Sequence, residues 1–455
     1  MTKRNLNTYH LVSLGCAKNL VDSDSMAQLL NREGFTPMEE ADKSEYLIVN
    51  TCGFLKAARE EAIAVLTDLA AEKMPWQKLI AAGCMTEHHR QDIIDSVPGI
   101  DGLLGTRRWM DITEVIKETS KSRSNIPYTH FPSATLDIND ESETHRTTIQ
   151  GGSAYLKIAE GCRRTCAFCM IPLIKGGLVS RPVEAIINDA KKLQDLGLKE
   201  IILIAQDVTD YGHDQNINDG LTGLLEDLLT AVPNVPWIRL MYAFPGYITE
   251  SLINLMAAET QILPYIDIPL QHADPSILKA MRRPSNPETV RDTLAKLRSK
   301  IPGIAIRSTF IVGYPGESAQ SFEKLIQFIQ SVQFDHLGAF AYSFEPGTPA
   351  EPLGDPIPEQ LKTERLETLM QIQAKISLDR NQQFIGREMD VLIEGVDDDN
   401  QISIGRTYRD APEIDGLVIV EGLALLGELV KVKINSAITH DLVGELVVDY
   451  KLFSR

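Results

Sequence analysis

The first hundred residues alternate short apolar runs with longer amphipathic stretches. Residues 9–14, 46–50 and 78–82 are apolar runs of strand length, while 19–32 and 55–72 have helical length and composition. Gly34 lies where the first helical stretch should stop. A run at 100–104 followed by 110–118 repeats the order. Strand, helix, strand in repetition predicts a parallel, doubly wound sheet over residues 7–120. Residues 121–150 are polar, with scattered Ser, Thr, Asn and Pro, and read as a linker.

A second alternation begins at Ala154. Strand candidates are 154–159, 200–205, 237–242, 265–270, 305–312 and 336–342, with helical patterns at 183–196, 221–231, 249–258, 287–299 and 318–332. Six such units are too few for an eight-stranded barrel and suit a partial (β/α) barrel. Residues 359–384 form a long amphipathic helix, read as a connector or brace that completes a central domain over 151–384. From 385 to 455 the pattern changes to short β-rich runs at 389–394, 402–406, 417–420, 429–434 and 446–450, broken by Gly and Asp. That is the pattern of a small all-β barrel. The expected fold class is α/β with an added all-β domain.

No run approaches the roughly 18 apolar residues of a membrane span. The first residues are polar and lack an apolar segment of signal length, so a cytoplasmic location without a membrane partner is expected. The chain carries 63 acidic and 45 basic residues, a formal net charge of −18. General nucleic-acid binding through phosphate neutralisation is therefore not expected. No H-E-x-x-H pattern, phosphate-binding P-loop or G-x-S-x-G elbow occurs, so hydrolase and kinase readings lack support.

The six cysteines form two sets of three. Cys162, Cys166 and Cys169 follow the first strand of the central domain with C-x3-C-x2-C spacing. Three thiolates in a loop this short can hold three irons of a four-iron, four-sulfur cluster and leave the fourth open for a substrate group. Zinc is the competing reading, but it ordinarily takes four ligands, and no fourth Cys or His lies nearby. Cys16, Cys52 and Cys84 each follow an apolar strand directly. In a parallel sheet all three reach the carboxyl edge, where open α/β sheets bind ligands, so they can meet at one site. The alternatives are three buried structural cysteines or a second three-thiolate cluster.

The C-x3-C-x2-C motif and the partial barrel resemble the radical S-adenosylmethionine (SAM) enzymes. The resemblance implies that the open iron binds SAM and that one electron cleaves it to methionine and a 5′-deoxyadenosyl radical. Both triplets together resemble the methylthiotransferases over nearly the whole chain, with an N-terminal cluster domain, a radical SAM barrel and a C-terminal β domain of TRAM type. Two branches exist, one modifying transfer RNA and one a ribosomal protein. The run from Ser13 to Ser23 (SLGCAKNLVDS) resembles the ribosomal-protein branch, with Ala17 in place of its usual proline, and so does Gly405 to Gly416 (GRTYRDAPEIDG). This resemblance implies methylthiolation at the β-carbon of an aspartate in the twelfth small-subunit ribosomal protein. It also implies two four-iron clusters, SAM, an electron donor and a sulfur source. The cluster on Cys162, Cys166 and Cys169 would generate the radical, and that on Cys16, Cys52 and Cys84 would carry the sulfur.

Further candidates follow strands. Gly313, Gly316 and Glu317 lie in a loop that either lines the cofactor pocket or is an ordinary strand–helix turn. Gln206 and Asp207, with Tyr211 and Gly212, follow the second barrel strand, where barrel loops carry function. Arg181 or Arg307 could neutralise the cofactor carboxylate, and each could equally be a structural ion-pair partner. His272, in Pro269 to Ala273, resembles the family's strand-end segment and is as well explained as a packed polar residue. Between 386 and 455 there are seven basic and fourteen acidic residues. That balance points to a basic protein partner rather than RNA. The competing functions are a transfer-RNA methylthiotransferase acting on a modified adenosine and a non-catalytic iron–sulfur electron carrier.

Overall fold

The computed structural model describes residues 6–122, 126–132 and 144–447. Two compact units emerge: Met1–Thr148 with Ala159–Ala185 and Glu345–Thr348, and Ile149–Ile158 with Ile186–Phe344 and Pro349–Arg455.

The first unit is built on a six-stranded parallel sheet. Its strands are β1 (Thr8–Ser13), β2 (Thr36–Pro37), β3 (Tyr46–Thr51), β4 (Lys78–Gly83), β5 (Gly102–Gly105) and β6 (Tyr128–His130), in the order β2-β1-β3-β4-β5-β6. Side chains alternate across the sheet, so one strand feeds two cores. Tyr46, Ile48, Ile80 and Ala82 pack under α1 (Ala17–Arg32) and the helix Ile112–Lys121. Leu47, Val49, Leu79 and Ala81 pack under α2 (Lys56–Glu72) with α3 (Cys84–His88). Each fully buried Leu or Ile contributes about 1.5–3 kcal/mol. Burial on both faces is what a doubly wound sheet needs.

The stretch expected to be a linker, 121–150, instead contributes two strands. β6 extends the first sheet beside β5, and Thr147–Gln150 joins the sheet of the second unit. Their composition is polar because both lie at sheet edges, where half the backbone and one face meet water. Residues 123–125 and 133–143 lie outside the described residues.

In the second unit, Ser153–Lys157, Glu200–Ile204 and Trp237–Leu240 pair in parallel, as do Tyr265–Asp267, Ala305–Val312 and His336–Ala341. A parallel bridge between Ile238 and Ile262 joins the two groups. These six strands in sequence order form the partial barrel, and Glu359–Gln382 runs beside its last strand. The C-terminal part is a closed five-stranded barrel of Glu388–Asp397, Ile402–Arg406, Val418–Glu421, Leu442–Leu446 and Leu429–Ala437. Its last strand begins earlier than the expected 446–450. It is fixed by parallel pairing of Val418 with Leu442, and Asp441 Oδ1 accepts from the Leu417 N–H at 2.9 Å. Residues 448–450 lie outside the described residues.

The segment Gly405 to Gly416 lies against the starts of the barrel strands. Buried Arg406 meets Glu200 at 2.7 Å, and Glu200 also meets Arg239 at 2.6 Å. The Tyr265 hydroxyl donates to Asp415 at 2.7 Å, and Arg307 bridges Asp267 at 3.0 Å and Asp415 at 3.2 Å. Burial works against the Asp415 charge, but His336 and Arg307 outweigh it and hold the carboxyl below its usual range.

Candidate iron–sulfur sites

All six cysteines belong to the first unit. Registers of Ser13 with Asn50 and of Thr51 with Gly83 bring the ends of β1, β3 and β4 level, so the next turns carry Cys16, Cys52 and Cys84 to one edge. Those turns need glycine. Gly15 has φ +94°, and a Cβ there would stand 2.8 Å from the Cys52 Cβ. Gly83, at φ +99°, would press a Cβ to 2.5 Å from the Thr51 carbonyl oxygen.

Asn19 ties the three turns together. Its Nδ2 donates to Leu14 O at 2.8 Å and to Thr51 O at 3.0 Å, and its Oδ1 accepts from the Cys84 thiol at 3.4 Å. No sequence motif announces this role. The signal was its place three residues after Cys16, on the same side of the first helical turn.

The thiols also act on one another electrically. Burial pushes the Cys84 thiol up to about 12; Lys175 opposes the rise, while Cys16 and Cys52 add to it. Burial raises Cys52 as well, with a contribution from Cys16. For Cys16, desolvation is outweighed by the Lys18 charge and by backbone N–H groups of Asn19 and Lys18, which hold it below the usual thiol range. The strand registers and the Asn19 bonds place the three thiols at one site; Cys16 favours the thiolate there, while burial holds Cys52 and Cys84 as thiols until a cation compensates their charge.

The second triplet sits in a loop closed at both ends. Ala159–Glu160 pairs antiparallel with Val179–Ser180, and the Cys162 N–H donates to Gly176 O at 3.1 Å. Cys169 N–H reaches Cys166 O at 3.1 Å, and Arg164 N–H reaches the Cys162 sulfur at 3.4 Å. Cys166 is buried, with Cys162 and Cys169 half-buried. Three soft donors within eight residues, in a bent loop, suit a compact iron–sulfur cluster. Arg181, 2% exposed, follows this hairpin.

The remaining candidates lie in the second unit. Gln206 is half-buried after its strand, and Asp207 accepts from the Thr209 N–H at 3.0 Å. Gly313 is required by close approach of a helix, since a Cβ would come within 2.4 Å of the Lys362 Cγ. Glu317 accepts from the Gly313 N–H and pairs with Arg365 at 3.2 Å, which fixes the 313–317 loop; Gly316 sits in it at φ +91°. The His272 Nδ1 accepts from the Asp274 N–H at 2.9 Å, leaving its proton on Nε2, which faces Glu317 at 3.5 Å. Arg307 is engaged by Asp267 and Asp415, the ion-pair alternative raised for it.

The C-terminal barrel corrects the reading of two acids. Asp410 and the Asp415 carboxylate are buried among ion pairs, so they cannot belong to a docking face. Arg406 and Arg409 are buried too. What remains exposed is Glu388, Asp390, Asp397, Asp398, Asp399, Glu413, Glu421, Glu428 and Glu445 against Arg387, Lys431 and Lys433. Asp449, Lys451 and Arg455 lie outside the described residues. Among the described residues the exposed charges of the barrel are therefore mostly acidic, although Asp390 pairs with Lys431 at 2.9 Å and Glu428 with Lys199 at 3.1 Å.

Family profiles match along the chain: "Radical SAM superfamily" over residues 156–329, "Uncharacterized protein family UPF0004" over 8–105 and "TRAM domain" over 385–447. The ribosomal protein uS12 methylthiotransferase RimO of Roseiflexus sp. (strain RS-1) is 45% identical over 458 residues, covering 96% of this chain and 97% of the relative. The protein of that name from Chloroflexus aurantiacus is 46% identical, covering 96% and 99%. The chain belongs to the RimO family of radical SAM methylthiotransferases. RimO-family membership agrees with the resemblance read from the two cysteine triplets, and with it come SAM and a four-iron, four-sulfur cluster. Among solved structures, the radical SAM methyltransferase TsrM from Kitasatospora setae is similar in fold, with TM-score 0.56, 15% identity and coverage of 76% and 75%. No helix among the described residues is long and apolar enough to cross a membrane.

Proposed function

We propose that this chain inserts sulfur and a methyl group at the β-carbon of an aspartate in ribosomal protein uS12. The observation that carries the reading is similarity over 96% of the chain to proteins of that name. The excess of exposed acids on the C-terminal barrel favours a basic protein over transfer RNA, because it repels phosphates and attracts cationic partners.

Cys162, Cys166 and Cys169 would hold a four-iron, four-sulfur cluster, and the chemistry such a cluster supplies when bound is one-electron cleavage of SAM. The chain's own part is to hold that cluster in a closed loop. A second cluster, on Cys16, Cys52 and Cys84, would receive the sulfur; the support is the convergence of three thiols around Asn19. Arg181, Gln206 and the turn at Gly313 and Gly316 are assigned to SAM, with Glu317 holding that turn through the Gly313 N–H and Arg365. Arg307 is left out, since its ion pairs support a structural role. The reaction requires an electron donor and a sulfur source, and a ribosomal-protein substrate supports a cytoplasmic location.

The test is mass spectrometry of ribosomal proteins from cells lacking this chain, with and without complementation. Loss of the methylthio group on uS12, restored by the intact gene, is expected. Unchanged uS12 with altered transfer-RNA nucleosides would favour the other branch. Absence of 5′-deoxyadenosine from reconstituted protein given SAM and a reductant would favour an electron carrier.

A further inference from the structure

Two cysteine loops far apart in sequence meet around one short helix of the first unit. Ile171–Lys175 follows Cys169, and its Ile174 joins Met170 and Cys84 in a small apolar cluster against which Phe54 packs. The helix ends in Lys175, which is 3% exposed. Its Nζ donates to Asp22 Oδ2 at 2.8 Å and lies 3.4 Å from Glu160 Oε1. Asp22 is on α1, which starts at the Cys16 turn, and Glu160 is two residues before Cys162. Arg146 closes the square by binding Asp22 Oδ1, standing 3.7 Å from Glu160 Oε2 and 4.1 Å over the Trp109 ring.

Two buried cations thus face two buried carboxylates. Such a group is costly to desolvate, and well-packed apolar residues would latch the loops at least as well. Its position, beside both thiol sites, gives the charges another use. Lys175 is held in place, because Arg107 Nε donates to Ile174 O at 2.9 Å and Gly176 O accepts from the Cys162 N–H. Its field reaches Cys84 and Cys16, and Asp22 acts on Cys84 in the opposite sense. Asp22 and Glu160 outweigh the burial that would discharge Lys175, so it remains a cation.

We propose that Lys175 is a positioning residue that sets the reduction potential of the cluster on Cys16, Cys52 and Cys84, with Asp22 as the opposing charge. This rests on the reading that those three cysteines hold a cluster. One-electron reduction adds a negative charge to the cluster, and a fixed buried cation stabilises that state with little screening by salt. Removing Lys175 should lower the midpoint potential, and removing the Asp22 charge should raise it.

The experiment uses the full-length chain with Cys162, Cys166 and Cys169 replaced by Ala, loaded anaerobically with iron and sulfide. Its remaining iron then belongs to the first triplet. About four irons per chain is expected, and their absence would refute the cluster reading itself rather than the role of Lys175. Electron paramagnetic resonance followed through a reductive titration with dithionite gives the midpoint. Lys175→Met should shift it down, Lys175→Arg should stay near the parent, and Asp22→Asn should shift it up. If Lys175→Met loses iron, the upward shift in Asp22→Asn carries the test. Unchanged midpoints, shifts of one sign in Lys175→Met and Asp22→Asn, or an equal shift in Lys175→Arg and Lys175→Met would overturn the proposal. So would loss of iron from both Lys175→Met and Asp22→Asn, which would assign the network to cluster retention.

Discussion

Replacing Arg406 with Met tests what fixes the C-terminal barrel to the strands of the second unit. Arg406 is fully buried, and its guanidinium meets Glu200 at 2.7 Å, Ser153 Oγ at 3.0 Å, Glu394 at 2.6 Å and the Asp410 carbonyl at 2.7 Å. Met keeps much of the volume and none of the donors. Glu200 is left with Arg239 as its one cation, and the Asp410 carbonyl loses a partner. Removing one side of a buried ion pair costs about 3–5 kcal/mol. An independent figure comes from Glu200. Burial would raise its carboxyl, but Arg406 and Arg239 outweigh that and bring it down from 4.5 to about 2. At about 1.4 kcal/mol per unit, the whole depression is on the order of 3–4 kcal/mol, shared between Arg406 and Arg239, so it bounds the Arg406 part from above. The sign follows from a depressed carboxylate: the contribution is complete above about pH 4.5 and is lost as pH falls towards 2. About 4 kcal/mol corresponds to a roughly thousandfold increase in local opening. Hydrogen exchange should show this in Ile402–Arg406 and Glu200–Ile204 at constant size from pH 5 to 8. Adding Glu200→Gln should recover part of the loss, because it removes the uncompensated charge. Exchange within tenfold of the parent across that range would refute the reasoning.

Anaerobically reconstituted protein should hold about eight irons, and replacing Cys162, Cys166 and Cys169 with Ala should roughly halve this; saturation of the intact chain at four would exclude a second cluster. Without Cys16, Cys52 and Cys84, SAM cleavage should persist while methylthio product disappears, so normal product yield would contradict sulfur delivery at that site. Asn19→Ala removes three hydrogen bonds, leaving the Leu14 and Thr51 carbonyls short of donors and the Cys84 thiol without its acceptor, a local loss of about 2–4 kcal/mol. A chelator should then strip the first triplet's iron faster than the second's, and identical release from variant and parent would argue against the tie. Reversing exposed Asp397, Asp398 and Asp399 to Lys should slow association with uS12 at low salt and flatten its salt dependence, leaving SAM cleavage intact. Association as fast as the parent at every salt concentration would reduce the acidic face to a solubility feature.

The parallel sheet and the first thiol site were readable because they depend on local order. Short apolar runs alternating with helices prescribe a parallel sheet whatever its strand order, and in any such sheet Cys16, Cys52 and Cys84 end at the carboxyl edge. The register of β1, β3 and β4 agrees. Edge strands were harder: Thr147–Gln150 and β6 have no apolar pattern, since a sheet edge buries little of them. The tie made by Asn19 needed the turns after β1 and β3 to be placed before its side chain had partners.

Residue type and spacing by themselves determined that six thiols form two sets of three, that the chain alternates strands with helices, and that it ends in a small β domain. Only the tertiary structure decided which charges are free and which are spent. Gly405 to Gly416 looked like a signature without a physical task until Arg406 met Glu200, 206 positions away, and Asp415 met Tyr265 and Arg307. Asp410 and Asp415 counted towards an acidic surface until they proved buried. Asp22 and Lys175, 153 positions apart, gave no sign of each other. Periodicity is a property of neighbours along the chain and can be read from it. A buried charge is stable only beside a counter-charge, and distant segments supply that partner only once the chain has folded.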